Sequence, residues 1–278
     1  MKGRTRLSIL WLGACVLVGS STSTALGGYI DYVQSLNPAG YYRLNETIWG
    51  TVYDFSGNNR NAQHTGSPSL NQTPGALWPF DSDSAIGANG SVVDFSGVAG
   101  TLFASGASPF SISLWVKPDG FADWGTPLSY GPASPNQNAF LIAENGTNDG
   151  QLAIGTYYNN ILYSVGKLID QQWNHIGITY DGNTLKLFLN GQLDSSLAYT
   201  LNTSTPTGGT LGGLYTGGQA FKGLIDEFAY FRYALSDEQM RLLATPVPEP
   251  ASFVLAVLGS LAIPWISRGF RQRQSRRP

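Results

Sequence analysis

The chain contains 278 residues, enough for one large domain or two small ones. Charged residues make up 12% of it, about half of the roughly 25% that is usual in soluble proteins, which argues against a charged helical bundle or a coiled coil. The 34 glycines and 15 prolines favour many turns, while the 42% of hydrophobic residues can build a core. Disorder is therefore excluded for most of the chain.

The formal net charge of −2 is the sum of an uneven distribution along the chain. Eight of the 16 basic residues lie near the two ends, whereas residues 28–246 contain eight basic and 17 acidic residues, a net charge of −9. Binding to the phosphates of a nucleic acid depends on clustered Lys and Arg. The acidic central region therefore argues against nucleic acid as a partner.

Residues 1–25 have the pattern of a secretory signal peptide. Basic residues precede the apolar stretch Leu7–Gly19, and the small residues Ser23–Ala25 fit a cleavage site. The segment that ends at Cys15 resembles a lipobox, which would make Cys15 a lipid-anchored N-terminus. The apolar stretch continues beyond Cys15, however, and this favours ordinary cleavage after Ala25. Since Cys15 is the single cysteine, the mature protein would then contain no disulfide.

Short alternating runs separated by turn formers predict a β-sandwich for residues 28–246. In Phe110–Pro118 every second residue from Phe110 is apolar, which predicts a half-buried strand. The segment Trp173–Ser195 predicts a meander with hairpin turns at Asp181-Gly182 and at Asn190-Gly191, because both dipeptides supply the positive φ angles of type I′ turns.

The segment Gly223–Leu235 is apolar on both faces and predicts a central strand, with Asp226 on the same face as Phe228 and Tyr230. A helix at about residues 237–244 follows, with Ser236 and Gln239 forming a capping box. No internal linker interrupts residues 28–246, so a single domain is predicted there.

The C-terminal residues 247–278 combine three features in order: Pro248-Glu249-Pro250, the apolar stretch Ala251–Ile266 and an Arg-rich end. The stretch is shorter than the roughly 18–20 residues that span a bilayer comfortably, and Pro264 weakens it as a helix. By its residues alone it is a marginal anchor with a cytoplasmic end. The arrangement resembles the PEP-CTERM sorting tail of exported proteins of Gram-negative-type bacteria. That resemblance implies an exosortase that recognises Pro248, Glu249 and Pro250 and removes the hydrophobic sorting helix.

Five further blocks carry a second resemblance: Tyr29–Glu46, Val52–Gly66, Phe110–Pro118, Trp173–Ser195 and Gly223–Met240. In this order they resemble the successive blocks of LamG-like, concanavalin A-like jelly-roll domains. The resemblance implies an all-β fold, a two-sheet antiparallel β-sandwich of six or seven strands per sheet with a short C-terminal helix. It also implies ligand binding on the concave face and at the rim loops.

Asp226 needs a partner, because an unpaired buried carboxylate is costly. The resemblance implies a structural calcium ion near the last strand, and carboxylate and backbone oxygens are suitable ligands for calcium. Asp54 and Asn58 in the turn after residue 53 could complete a site with Asp226. The alternative is a salt bridge to an arginine (Arg43, Arg60 or Arg232) or a set of backbone hydrogen bonds.

Carbohydrate recognition combines an aromatic platform with a few polar groups in a cleft. The candidate ligand-binding residues lie in loops outside the blocks above: Trp124, Tyr130, Tyr157, Tyr158 and Tyr163. Trp115 and Trp173 are expected in the core or on a sheet. The sequence leaves Trp49 and Trp78 undecided.

Catalysis has few candidates. We expect His175 to be packed within a strand and His64 to be exposed in a turn, and no esterase or zinc-protease motif is present. Glycoside hydrolysis normally needs two carboxylates about 5–10 Å apart across the scissile bond. The neighbours Asp226 and Glu227 are expected to point to opposite faces of a strand, and Asp81 and Asp83 to lie in a solvated loop.

These observations together predict an exported, non-catalytic LamG-like domain. It would bind a polysaccharide or glycoconjugate, or act as an adhesive or structural component, at the bacterial cell surface or in an exopolysaccharide matrix. The alternative is a surface glycoside hydrolase or lyase of the concanavalin A-like superfamily.

Overall fold

The computed structural model describes residues 28–132, 140–146, 149–156, 159–215 and 217–246. These residues form three short helices, α1 (Tyr29–Ser35), α2 (Ala99–Leu102) and α3 (Asp237–Leu243). They also form sixteen strands: β1 (Gly40–Tyr42), β2 (Thr51–Val52), β3 (Ala62–His64), β4 (Ser69–Gln72), β5 (Ala85–Asn89), β6 (Val93–Asp94), β7 (Phe110–Pro118), β8 (Leu128–Tyr130), β9 (Phe140–Glu144), β10 (Gln151–Thr156), β11 (Asn159–Lys167), β12 (Asn174–Tyr180), β13 (Thr184–Leu189), β14 (Gln192–Ala198), β15 (Gly209–Leu211) and β16 (Lys222–Phe231).

Several predicted features lie outside the described residues: the signal peptide at 1–25, the sorting tail at 247–278, and the candidate ligand residues Tyr157 and Tyr158. Within the described ranges, no helix has both the length and the apolar character needed to cross a membrane.

The strands form two antiparallel sheets. The first sheet has the order β14-β13-β12-β7-β16-β5-β4, with β1 also paired to β16, and the second has the order β11-β10-β9-β8-β15-β6-β3-β2. The predicted all-β sandwich with a short C-terminal helix is confirmed. Each sheet contains eight strands from the described residues, rather than the six or seven that the resemblance implied.

The main core lies between the sheets. The apolar face of β7, which begins with Phe110 and Ile112, contributes to it as predicted, together with Tyr130 of β8 and Phe140 of β9 from the second sheet. The rings of Phe110 and Phe140 meet edge to face across the sandwich, with their centroids 5.0 Å apart. Alternation along each strand thus builds one core from two sheets.

A second apolar cluster covers the outer side of the first sheet. Tyr29 and Val33 of α1, together with Met240 and Leu243 of α3, pack there against Phe188 and Phe231. The prediction that β7 is half-buried is therefore wrong, because helices cover its outer face. Trp115 is buried there and its Nε1 lies 3.3 Å from the Tyr29 hydroxyl, which confirms Trp115 as a core residue.

His175 is also buried on this outer side, as predicted. Its Nε2 lies 2.8 Å from the Ser113 hydroxyl, and burial lowers its pKa to about 3. The ring is thus neutral at physiological pH and serves the packing of β12 against β7.

The two hairpin turns differ. Asn190 and Gly191 have φ angles of 48° and 77°, which confirms the predicted conformation between β13 and β14. Between β12 and β13 the loop has three residues, and the Asp181 carboxylate accepts hydrogen bonds from the N–H groups of Asn183 (2.8 Å) and Thr184 (2.7 Å). This second turn is held by a side chain, so the predicted type I′ turn is wrong at that position.

The short helix α3 starts as predicted. Ser236 accepts a hydrogen bond from the Gln239 backbone N–H, and the Gln239 side chain accepts one from the Ser236 N–H. This reciprocal pair satisfies two donors that a helix N-terminus leaves free, and it fixes the helix directly after β16.

Candidate functional site

A buried cluster of charged groups lies where β1, β16 and the segment before β5 meet. Arg43 donates from Nη2 to Asp81 Oδ2 (2.7 Å) and Asp83 Oδ1 (2.9 Å), and from Nε to Glu227 Oε1 (3.1 Å). Asp226 completes the group, since oxygens of Asp83, Asp226 and Glu227 all lie within 4.8 Å of one another. We refer to these five residues as the Arg43 cluster. Asp83 is buried in it, which corrects the expectation of a solvated loop.

A β-bulge explains why Asp226 and Glu227 lie together. The pairing of β16 with β7 shifts register between Asp226 and Ala229, and Glu227 has a φ angle of 49°. The extra residue resets the alternation of side chains, so that Ile225 and Phe228 both face the core between the sheets. The expectation that Asp226 and Glu227 point to opposite faces is therefore wrong. The expectation that Asp226 lies on the same face as Phe228 is wrong as well.

The cluster holds more carboxyl groups than Arg43 can balance. Burial, followed by the neighbouring charge of Asp83, raises the pKa of Glu227 to about 8, although Arg43 and the Tyr41 hydroxyl lower it. Burial and the charges of Asp83 and Glu227 raise the pKa of Asp226 well above its usual range. Asp83 Oδ2 receives no N–H or hydroxyl donor from the described residues.

The predicted calcium ligands are not brought together. Asp54 accepts three backbone N–H groups, from Tyr41 (3.1 Å), Ser56 (2.8 Å) and Arg60 (2.9 Å), and so stabilises its own turn. Asn58 donates from Nδ2 to Pro38 O (3.0 Å).

Asp226 instead accepts hydrogen bonds from the backbone N–H groups of Ala76 (2.8 Å) and Glu227 (3.0 Å). Backbone hydrogen bonds were one of the alternatives to calcium in the sequence analysis. The acids next to Asp226 are Asp83 and Glu227, and the guanidinium of Arg43 already lies against them. This arrangement does not fit the predicted calcium site.

A separate cleft of about 510 Å³ opens beside this cluster, in the loops that flank β2. We call it the Trp49 cleft. Its lining residues are Asn45, Glu46, Thr47, Ile48, Trp49, Gly50, Thr51, Tyr53 and Phe55. Trp49 is 62% exposed and Tyr53 is 55% exposed. A group of exposed apolar side chains with polar residues at its rim is a feature of ligand-binding grooves.

Backbone and side-chain contacts hold the Trp49 cleft in place. The ring Nδ1 of His64 in β3 accepts a hydrogen bond from the Gly50 N–H (3.0 Å), and the backbone N–H of His64 donates one to Gly50 O (2.7 Å). Phe55 packs edge to face on Tyr41, whose hydroxyl donates to Glu227 of the Arg43 cluster. The prediction that His64 is exposed is wrong. Burial lowers its pKa, and as a neutral acceptor it anchors the loop that carries Trp49.

Two further clefts lie among the described residues. One, of about 410 Å³, is lined by Thr73, Pro74, Trp78, Ser82 and Asp83, and we call it the Trp78 cleft. Trp78 is 60% exposed. The other, of about 360 Å³, is polar, with Lys117 and Asp119 among its lining residues and no aromatic side chain.

The sequence profile of the Laminin_G_3 family, described as the concanavalin A-like lectin/glucanases superfamily, matches residues 87–241, more than half of the chain. The chain belongs to this family. The match includes β16 with Asp226 and Glu227, whereas the Trp49 cleft lies before it in the sequence.

The sequence of this Laminin_G_3 domain is similar to the mouse and rat forms of the Sushi, von Willebrand factor type A, EGF and pentraxin domain-containing protein 1. Each is 27% identical over 183 residues, covering 57% of this chain. The chain spans about 5% of the length of these relatives.

Among solved structures, the fold is similar to domain 4 of a GH43 extracellular arabinanase from Geobacillus stearothermophilus, in complex with arabinotriose. The TM-score is 0.53, with 21% identity over 75% of this chain and 98% of that domain. It is also similar to the CBM40 of the Ruminococcus gnavus IT-sialidase bound to α2,3-sialyllactose. There the TM-score is 0.50, with 19% identity over 58% of this chain and 95% of that module. At these identities the likeness establishes the fold.

Of the predicted ligand residues of this Laminin_G_3 domain, the three that the structure describes do not form one site. Tyr130 is 1% exposed and stacks on Phe103 with centroids 4.3 Å apart. It is therefore a core residue that no glycan can reach, which corrects the prediction. Trp124 is half-buried and packs against Ala143 and Leu214. Tyr163 is exposed on β11, and no cleft described above contains it or Trp124.

Sequence reasoning missed the Trp49 cleft. Trp49, Tyr53 and Phe55 lie within seven residues of one another, at the junction of the first two resemblance blocks. Such a group of aromatic residues next to Gly50 could have indicated a ligand-binding loop. Their exposure, however, depends on how β2 pairs with β3, and the local sequence does not specify that pairing.

Proposed function

We propose that the domain binds carbohydrate through the Trp49 cleft. The observation that carries this proposal is the exposure of Trp49, Tyr53 and Ile48 around a cleft whose remaining residues are mostly small and polar. Sugar rings present apolar C–H faces and polar hydroxyl edges, so their binding sites pair aromatic faces with hydrogen-bonding groups. Asn45, Thr47 and Thr51 provide such groups beside the aromatic rings.

Two similar structures support this choice of ligand class. One is a domain in complex with arabinotriose and the other is a carbohydrate-binding module bound to sialyllactose. Both are modules of larger carbohydrate-active proteins by their descriptions. A fold can host many functions, so the argument for binding in this chain rests on the cleft itself.

We further propose that the domain binds glycans without cleaving them. Hydrolysis of a glycosidic bond normally needs a pair of accessible carboxylates on either side of it. Each of the three clefts described above is lined by one acid: Glu46, Asp83 or Asp119. Asp226 and Glu227 are buried, and Arg43 and backbone N–H groups already contact them. These contacts favour a structural role for the clustered acids.

We also propose that the chain is exported and sorted as its two ends suggest. Residues 1–25 would direct export, and Pro248, Glu249 and Pro250 would direct exosortase processing. A glycan-binding domain delivered to the cell surface or an exopolysaccharide matrix would then hold that matrix together.

The binding proposal is tested by screening the full-length protein against an array of polysaccharides and measuring the best ligand by titration calorimetry. Trp49→Ala and Tyr53→Ala are expected to weaken binding at least tenfold, since aromatic side chains that become buried on binding contribute much of the binding energy. Trp78→Ala is the matched control, because Trp78 has nearly the same exposure in a different cleft. Reducing ends in the bound glycan, measured after incubation, are expected not to increase.

Loss of binding in Trp78→Ala with full binding in Trp49→Ala would move the site to the Trp78 cleft and overturn the assignment. No binding to any polysaccharide would overturn carbohydrate as the ligand class.

A further inference from the structure

The charge of the Trp49 cleft determines which glycans it can hold, provided that glycans bind there as proposed above. Of its nine lining residues, Glu46 alone carries a charge, and the others are polar, apolar or aromatic. No Lys or Arg lines the cleft. The site therefore offers no counter-ion to a carboxylate, sulfate or phosphate group on a ligand.

The Glu46 carboxylate is fixed in the wall of the cleft. Its Oε1 accepts the Tyr53 backbone N–H at 2.9 Å. Its Oε2 is buried and accepts no hydrogen bond from the described residues. A buried oxygen is closed to a ligand hydroxyl, so the carboxylate acts on a bound glycan through its charge.

Burial raises the pKa of Glu46, and the positive charge of Arg43 acts in the opposite direction. Arg43 is committed elsewhere, because its guanidinium donates to Asp81, Asp83 and Glu227. Its side chain is 12% exposed. It therefore cannot turn into the Trp49 cleft to neutralise an acidic sugar without breaking three ion pairs.

We propose that the Trp49 cleft selects neutral glycans, with the charge of Glu46 repelling sugars that carry a carboxylate. Sialic acids and uronic acids are thus excluded, while neutral pentoses and hexoses are accepted. The aromatic rings provide affinity for either class, and Glu46 provides the discrimination.

The experiment compares ligands that differ in their carboxylates but share their linkages. Fully methyl-esterified homogalacturonan and polygalacturonate form such a pair, and lactose with α2,3-sialyllactose is a second comparison in which the carboxylate comes with an added sialic acid residue. A set of neutral polysaccharides (arabinan, galactan, mannan and β-glucan) is measured alongside them. The full-length protein is expected to bind its neutral ligands at least tenfold more tightly than carboxylated ones. This ratio is expected to shrink at high salt, because salt screens charge repulsion.

Glu46→Gln removes the charge and retains the shape of the side chain. It is expected to leave binding of the neutral ligand within about twofold and to strengthen binding of the carboxylated partner several-fold, because it removes the repulsion between like charges. Glu238→Gln on α3 is the control, since it removes the same charge from an exposed site outside the cleft. Thermal melting of each variant reports on folding.

The outcomes separate this inference from the proposed function. Preferential binding of carboxylated glycans that is lost in Trp49→Ala would overturn the selectivity and leave the binding site intact. A neutral preference that is equal in wild type and Glu46→Gln would overturn the role of Glu46. Binding that is unaffected by Trp49→Ala, or absent with every glycan, would overturn the proposed function and the selectivity together.

Discussion

Arg43 supplies positive charge to the buried carboxylates that surround Asp226. It pairs with three carboxylates, of which Asp83 and Glu227 have fully buried side chains. A charge in a protein interior is tolerated when it is paired and hydrogen-bonded. The remaining excess of negative charge acts on Asp226, whose pKa is raised well above its usual range by burial and by the charges of Asp83 and Glu227.

Replacing Arg43 by Met is expected to lower the free energy of unfolding by about 3–5 kcal/mol, because it leaves buried carboxylates without a partner. For a domain of this size the melting temperature would fall by roughly 10 °C. Circular dichroism melts of the variant and of Arg241→Met measure this difference. Arg241 forms an exposed ion pair on α3, and its replacement is expected to change the melting temperature little.

The loss in Arg43→Met should depend on pH. Burial raises the pKa of Glu227 from an ordinary value of 4.5 to about 8. Between these values the native state binds a proton that the unfolded state has released, so the free energy of unfolding falls as the pH rises from about 4.5 to about 8. Without Arg43 the fall becomes steeper, and the deficit of the variant is smallest near pH 5. An equal deficit at pH 5 and pH 8, or a lower melting temperature of the wild type in a chelator, would contradict this charge balance.

At the scale of elements, α3 is held against the first sheet by a close approach to β12. A Cβ built on Gly177 would lie 2.7 Å from Met240 Cγ and would also overlap the Met240 sulfur. Met240 is fully buried in the outer cluster. Because Gly177 has no side chain, Met240 can pack there and hold α3 against the first sheet.

A double-mutant cycle tests this contact. Gly177→Ala is expected to cost about 1–3 kcal/mol by overpacking, and Met240→Ala about 2–5 kcal/mol by leaving a cavity. The double variant is expected to be about as stable as Met240→Ala alone, since the added methyl group enters the space that the methionine leaves. Urea denaturation measures each step. Gly97→Ala is the control, because a Cβ there contacts nothing within 4 Å. Additive losses in the double variant would show that α3 does not depend on this contact.

The sequence predicted those elements whose pattern is local. The alternation of Phe110–Pro118, the turn at Asn190-Gly191 and the cap at Ser236 all depend on neighbours within a few residues, and all are present. The bulge at Glu227 was missed, because it depends on how β16 pairs with β7. For the same reason the Arg43 cluster, whose members are separated by up to 184 residues, could be foreseen only as one of several partners for Asp226.

The candidate site was even less accessible to prediction than the fold. Loop position was the criterion for ligand residues, and it selected Tyr130, which the packing of Phe103 and Phe140 buries. Exposure of an aromatic residue results from the whole sandwich, since it requires that neither sheet nor helix covers the ring. Trp49 meets this condition, and no periodicity in its surroundings indicates it.

At the scale of the whole molecule, the distribution of charge is the property that export would change. Residues 28–246 carry a net charge of −9, and the basic residues of the two ends raise the full chain to −2. An acidic domain is repelled by acidic polymers. This is consistent with the selection of neutral glycans proposed for the Trp49 cleft, in which Glu46 is the charged lining residue.

If both ends are removed as proposed, the extracellular form will be more acidic than its precursor. Cleavage after Ala25 and near Pro248 would remove eight basic residues and change the net charge from −2 to about −9. The secreted protein is then expected to elute from an anion exchanger at a distinctly higher salt concentration than the full-length protein. Intact mass measurement of the same sample would locate both new ends.

Replacing Pro248 and Glu249 by Ala is expected to block C-terminal processing alone, because export by the N-terminal segment does not require these two residues. An extracellular protein that retained its C-terminal arginines would contradict processing at this motif, whereas retention of residues 1–25 would contradict the signal peptide.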